Sequence, residues 1–382
     1  MNKLELVTAF SKLSLKTPRF FQAPGRVNLI GDHTDYNEGF VMPASINRFA
    51  YMAMELNDKD CLSLNAIDLK EEVVLPMKSL NRNDEGHWSN YFIGVLSIFK
   101  SRRIDVSGVD CVFQSDVPIG AGLSSSAALT CCFAHGLNEL FQARFSKKEL
   151  VDIAQETEHQ FALVNCGNMD QTASLFGKEG QAMLFDCKTR EIVYSPLKIR
   201  EYEFLLVDTK VKHSLADSAY NERREQCELG VKKLKNNFPK VSSLRDVTVT
   251  MLDQTRLPAL IDKRCRYVVE ENERVQKASL LLKQNDLTGF GALMWLSHEG
   301  LSNQYEVSCE ELDFIVEKAK TSIGILGARM MGGGFGGCCI VLIRSENAAA
   351  FRTDMELNYT IAFKQSPEFY SFSTSDGAIE LI

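Results

Sequence analysis

Several things are missing from this sequence, and each absence removes a class of protein. No apolar run approaches the roughly 20 residues that a membrane-spanning helix needs, so no membrane is expected. Basic residues are not in excess: 43 Lys and Arg face 50 Asp and Glu, for a net charge of −7. That balance argues against a general nucleic-acid or membrane-surface binder, while leaving room for a local positive site that holds a small anion. Among eleven cysteines there is no Cys-x-x-Cys. The count is odd, and two adjacent pairs, Cys131–Cys132 and Cys338–Cys339, lie inside apolar segments. Neither a disulfide framework nor a zinc site is indicated, and reduced buried thiols in a cytoplasmic protein are expected. Repeats, low-complexity tracts and long linkers are also missing. The N-terminal "MNKLELVTAFSKLSL" mixes Glu5 and Lys12 with its apolar residues, which makes it an amphipathic helix and not a secretory segment.

What is present is an ordinary globular composition, 45% hydrophobic and 24% charged over 382 residues. That length suits about two domains. The runs "YMAME", "VDCVFQSDV", "AMLFD", "EFLLVDT" and "CCIVLI" read as strands. Helical spacing occupies about 90–103, 125–142, 146–163, 217–236, 267–284 and 309–321. The third of these helices opens on a capping box, Ser146-Lys-Lys-Glu149. Strands and helices mix without strict βα alternation, so the expected class is α+β, mixed sheets covered by helices. A boundary near 195 would divide the chain into lobes 1–195 and 196–382.

Four stretches carry chemistry. In "VPIGAGLSSSAALTCCFAHGLNELF" a strand runs into a loop and then into a helix N-terminus. The loop holds Gly120, Ala121, Gly122, Leu123, Ser124, Ser125 and Ser126. Glycines let a backbone approach phosphate, and the free N–H groups of a first helical turn favour an anion. The serines can cap, bond phosphate oxygens or ligate Mg²⁺; a helix cap on an ordinary buried helix fits the same letters. No Gly-Lys-Ser/Thr follows, so this is not a Walker A loop, and without Gly-x-Ser-x-Gly it is not a nucleophile elbow. In "APGRVNLIGDHTDYNEGFVMPASI" the residues Arg26, Asp32, His33 and Asp35 crowd into ten positions. A hairpin or bent loop dense in carboxylates and an imidazole suits vicinal sugar hydroxyls, and an arginine fork suits phosphate oxygens.

In "QETEHQFALVNCGNMDQTASLFG" Glu158 is a plausible Mg²⁺ carboxylate and Asp170 a plausible general base, although either could be a capping or salt-bridged residue. His159 reads as a partly exposed helix histidine. The fourth stretch, "MMGGGFGGCCIVLI", spells the dinucleotide fingerprint Gly-x-Gly-x-x-Gly. That motif requires a strand before the glycines and a helix after them. Here "LDFIVEKAKTSIGILGARM" reads as helix and turn and "CCIVLI" as a buried strand, so the nicotinamide or flavin reading fails. The glycines could line a second wall of the phosphate site or form a tight turn under the first loop.

These stretches resemble the galactokinases of the GHMP small-molecule kinase superfamily over nearly the whole chain. "GRVNLIGDHTDY" resembles the galactokinase signature, "VPIGAGLSSSAAL" the superfamily's ATP loop, and "GARMMGGGFGGC" its third motif. "EHQFALVNCGNMDQ" and "SAYNERREQC" resemble further galactokinase segments. The resemblance implies a two-lobed fold with the active site between the lobes. It implies ATP-dependent phosphorylation of galactose at C1, the opening step of galactose catabolism, by a cytoplasmic monomer. Residues 120–126 would wrap the ATP phosphates, with Ser126 and Glu158 holding Mg²⁺. Asp170 would be the base and Arg26 would stabilise the transferring phosphoryl. Asp32, His33, Thr34, Asp35, Gly167 and Tyr220 would recognise the sugar, and Trp88 would lie near the adenine. An N-acetylgalactosamine kinase or a non-catalytic galactose sensor would share much of the pattern, but sensors of that type lack part of the serine-alanine loop that is complete here. Two positions depart from the pattern: Asp32 stands where many relatives have Glu, and Met331 replaces a threonine common before the glycines.

Overall fold

The computed structural model describes residues 3–212 and 216–381. Its largest sheet has six strands in the order Ile379–Leu381, Arg19–Asn28, Pro43–Asn57, Gly108–Ser115, Cys61–Ala66 and Glu71–Pro76. All neighbours are antiparallel except Cys61–Ala66 and Gly108–Ser115. Period-two alternation decides what each face packs. From Pro43–Asn57, Met52 and Met54 enter the main core. Tyr51 and Ala53 meet Leu6 and Phe10 of the N-terminal helix Lys3–Leu13 on the other face. The main core is closed by the helices Ser89–Ser101, Ser125–Leu140, Lys147–Thr157 and Met169–Phe176. A short sheet, Phe40–Val41, Gln181–Asp186 and Glu191–Pro196, sits beside it.

The second half is built on a four-stranded antiparallel sheet: Ile325–Met331, Gly336–Arg344, Tyr202–Lys212 and Glu368–Ser371. "CCIVLI" is apolar without interruption because both faces of its strand are covered. Cys338, Ile340 and Leu342 join the core shared with the first half. Cys339, Val341 and Ile343 join a second core under the helices of the C-terminal half. The last strand, Ile379–Leu381, returns to pair with Arg19–Asn28 in the first sheet.

All five apolar runs expected as strands are strands, and the capping box forms as read, with Ser146 accepting from the Glu149 N–H. The helix expected at 267–284 begins earlier, at Ala259. One reading is corrected. The residues before the glycines are not helix and turn throughout: the helix Glu310–Thr321 is followed by the strand Ile325–Met331. That strand pairs antiparallel with Gly336–Arg344, Met331 opposite Cys338. Ala328 and Met330 face the second core while Met331 faces the shared one, a strand alternation that the preceding helix pattern masked. The glycines close a β-hairpin, and the dinucleotide reading fails because no helix follows them.

Candidate active site

Two loops converge at one point of the first sheet. The chain bulges between Pro24 and Arg26 on the strand Arg19–Asn28, and Arg26 uses both main chain and side chain to hold the glycine-serine loop. Its backbone N–H donates to the Leu123 carbonyl at 3.1 Å, and its Nη1 donates to the Gly122 carbonyl. A side chain at Gly25 would start 2.7 Å from the Leu123 oxygen, so glycine is required for this approach. The remaining guanidinium donors form a bidentate pair with Asp170, Nε to Oδ1 at 2.8 Å and Nη2 to Oδ2 at 2.9 Å. Asp170 lies in the first turn of the helix Met169–Phe176. The Ser124 hydroxyl also donates to Asp170 Oδ2. Ser124 thus stands at the cap position of the helix Ser125–Leu140 without capping it.

Beside Asp170 opens a cavity of about 180 Å³, the size of a hexose, walled by Arg26, Asp32, His33, Asp35, Gly167, Asp170 and Tyr220. The sugar-facing residues foreseen in the sequence therefore converge, with one exception. The Thr34 hydroxyl points back into its own loop, within hydrogen-bond reach of the Gly31 and Phe40 carbonyls. Gly167 has a steric reason: a Cβ there would lie 2.1 Å from Asp35 Oδ2. Cys166, Met169, Gly332 and Gly333 complete the wall; the sequence pointed the two glycines toward the phosphate loop and did not single out Cys166 or Met169. The glycine hairpin backs onto the phosphate loop, a Cβ at Gly332 being 4.0 Å from the Gly122 Cα.

Burial and neighbours tune the charges. Asp32 is almost wholly buried. One oxygen pairs with Arg329, itself fully buried, and the other accepts the Gly332 N–H at 3.0 Å. An arginine inside "GARMM" is a charge in an apolar strand, the signal that could have announced this partner. Met331 is buried, and its sulfur accepts the Asn28 N–H at 3.4 Å, so it ties the glycine hairpin to the strand Arg19–Asn28. His33 holds a left-handed backbone, φ 65°, of the strained kind that collects at functional loops. Its Nε2 reaches the Gly333 carbonyl at 3.1 Å, which makes Nε2 the donor and leaves Nδ1 to accept from Tyr36. Burial pulls His33 down to about 4, so it is neutral near pH 7. Burial, reinforced by the Asp170 charge, lifts Asp35 to about 6.

Glu158 begins a π-turn, Glu158–Ala162, that continues the helix Lys147–Thr157; such turns recur at functional sites. Its carboxyl is buried, one oxygen accepts from Cys166 at 3.2 Å, and the other has no partner. Burial first, and Asp170 second, push it up to about 7. The Ser126 hydroxyl interacts with it and with Tyr91. A buried carboxylate oxygen without a partner, beside a serine hydroxyl, is the sparse hard-oxygen set that suits Mg²⁺ carried by nucleotide phosphates. His159 caps the adjoining loop through Nε2 and the Cys166 carbonyl at 2.8 Å. Trp88 stands apart from the cavity at the start of the helix Ser89–Ser101. Its Nε1 donates to Glu71 at 2.6 Å and its ring lies 5.2 Å from Phe113.

A strand–glycine loop–helix phosphate site, set against a polar cavity and a glycine hairpin, defines a small-molecule kinase of the GHMP type. The models for the N-terminal and C-terminal domains of GHMP kinases match residues 90–178 and 278–359, and that for the galactokinase galactose-binding signature matches 8–56. The galactokinase of Thermotoga neapolitana is 43% identical over 93% of this chain and 98% of its own. That of Thermosipho africanus is 41% identical over 94% and 99%. The crystal structure of Lactococcus lactis galactokinase complexed with galactose superposes with a TM-score of 0.95 at 32% identity, covering 100% of both chains. Methanococcus jannaschii mevalonate kinase, at 17% identity and a TM-score of 0.68 over 95% of this chain and 100% of its own, shares the fold. The chain belongs to the galactokinase family.

Proposed function

We propose that this chain transfers the terminal phosphoryl group of ATP to the C1 hydroxyl of α-D-galactose, giving galactose 1-phosphate. The observation that carries the reading is the placement of Arg26, which joins Asp170 at the wall of the sugar-sized cavity to the Gly122 carbonyl of the phosphate loop. An acceptor hydroxyl beside Asp170 is thereby next to the loop that would deliver the phosphoryl group.

Phosphoryl transfer passes through a loose transition state, so positioning and charge neutralisation carry most of the catalysis. Asp170 accepts the proton of the C1 hydroxyl late in the reaction, where a modest base suffices. Arg26 orients that carboxylate and meets the charge on the transferring oxygens. Asp32, His33, Asp35, Gly167 and Tyr220 frame the sugar. Residues 120–126 present backbone N–H groups to the phosphates, with Trp88 assigned to the adenine side. Ser126 and Glu158 would hold Mg²⁺ together with the nucleotide, and the ion would neutralise phosphate charge when bound.

We further assign the lobes to 1–195 and 196–382, apart from the returning strand Ile379–Leu381. We place the protein in the cytoplasm as a monomer, as its resemblance to galactokinases implies; its eleven free cysteines suit a reducing compartment. An ADP-release assay across a hexose panel tests the reading. Galactose should dominate, with glucose poor because its O4 is inverted. Preferred turnover of N-acetylgalactosamine, or binding of galactose without ADP release, would replace it.

A further inference from the structure

The loop that carries Asp32, His33 and Asp35 is gripped from behind by a helix that does not line the cavity. Along Ala259–Lys283, Tyr267, Glu271 and Val275 share one face at four-residue spacing. The Glu271 carboxylate accepts the Gly31 N–H at 2.9 Å. The Tyr267 hydroxyl donates to the Asp32 carbonyl at 2.9 Å. Asn272 accepts the Phe40 N–H at 2.8 Å. The two glycines that bracket the loop are where the helix touches it. A Cβ at Gly31 would lie 2.8 Å from Val275 Cγ2, and one at Gly39 would lie 2.3 Å from Asn272 Oδ1.

Glu271 is fully buried. Besides Gly31 it takes the Ser297 hydroxyl at 2.6 Å and Arg274 Nε at 2.5 Å. Apolar residues of similar volume often replace a buried ion pair without loss of stability. What they cannot supply is a directional acceptor for one backbone N–H, and that N–H belongs to the residue immediately before Asp32.

We propose that Glu271 is a positioning residue for sugar phosphorylation: it never meets the substrate, and it fixes the loop that does. The inference rests on the assignment of Asp32, His33 and Asp35 to galactose. The test is steady-state kinetics on the full chain, with galactose and ATP varied in turn, for Glu271→Leu, Glu271→Gln and Tyr267→Phe. Glu271→Leu should raise the galactose KM about tenfold by orphaning the Gly31 N–H, with the ATP KM unchanged. Glu271→Gln keeps an acceptor oxygen and should return to within about threefold of the parent. Tyr267→Phe, which removes one hydroxyl and covers the case of a Leu variant that does not fold, should raise it about threefold. Three results would overturn the proposal: a parental galactose KM in every folded variant, an equal rise in the ATP KM, or a Gln variant no better than Leu. A parent enzyme that leaves galactose unphosphorylated would strike the underlying assignment instead, so the two failures are distinct.

Discussion

The sugar loop and the phosphate loop meet at Arg26 and are built on opposite principles. Around residues 31–40 nearly every polar group is already occupied by protein. Asp32 is held by Arg329 and Gly332, His33 by Tyr36 and Gly333, and the backbone by Tyr267, Glu271 and Asn272. The phosphate loop is left open. Ile119 is 75% exposed, Gly120 is exposed, and Ser124 to Ser126 are only half-buried. On the proposed assignment the first discriminates among hexoses that differ by one hydroxyl, a task that needs recognition groups held in one position. On the same assignment the second would receive a triphosphate, which a row of free N–H groups can bind.

Substitutions can break this contrast to different degrees. Arg329→Met leaves the Asp32 carboxylate buried without its countercharge, and removing one member of such a pair costs about 3–5 kcal/mol. Thermal unfolding should show this as a fall of many degrees, whereas Ser125→Ala on the open loop should hardly move the midpoint. An unchanged midpoint in Arg329→Met would mean that the sugar loop is not locked through Asp32. Gly167→Ala drives a methyl group into Asp35, and displacement of a recognition group by about 1 Å can cost 10²-fold. A loss of that order in kcat/KM for galactose is expected, with nucleotide affinity retained; equal losses for both substrates would contradict the division of labour.

Asp35→Asn gives a smaller, pH-dependent effect. The carboxyl rises from 3.8 to about 6 in the folded chain, so between those values the folded state keeps a proton that the unfolded state has lost. Stability therefore falls as pH rises through that window. The Asn variant should melt a few degrees above the parent beyond pH 6 and level with it near pH 4, while binding galactose less well. A melting difference independent of pH would remove the burial argument for Asp35.

Legibility in the sequence follows the same division. The phosphate loop, the capping box at Ser146 and the two-faced strand "CCIVLI" depend on neighbours in the chain, so spacing and turn chemistry announced them. The nearness of Asp170 to Arg26 followed from the family resemblance and from no local pattern, since the two stand 144 positions apart. Arg329, Tyr267, Glu271 and Asn272 reach the sugar loop over more than 230 positions, and no local pattern encodes that distance. Two departures also changed meaning. Asp32 is short but engaged at both oxygens, by Arg329 and by the Gly332 N–H, and the Met331 sulfur accepts the Asn28 N–H where a threonine would place a hydroxyl.

Asp170, oriented by Arg26, stands where the two loops join. Its role as base is decided by single-turnover phosphorylation of galactose in Asp170→Asn, with nucleotide binding measured on the same sample. A loss of roughly 10²–10⁴-fold in the rate of transfer is expected, the scale of a general base, with ATP affinity within about threefold of the parent. Near-parental turnover from that variant would contradict it.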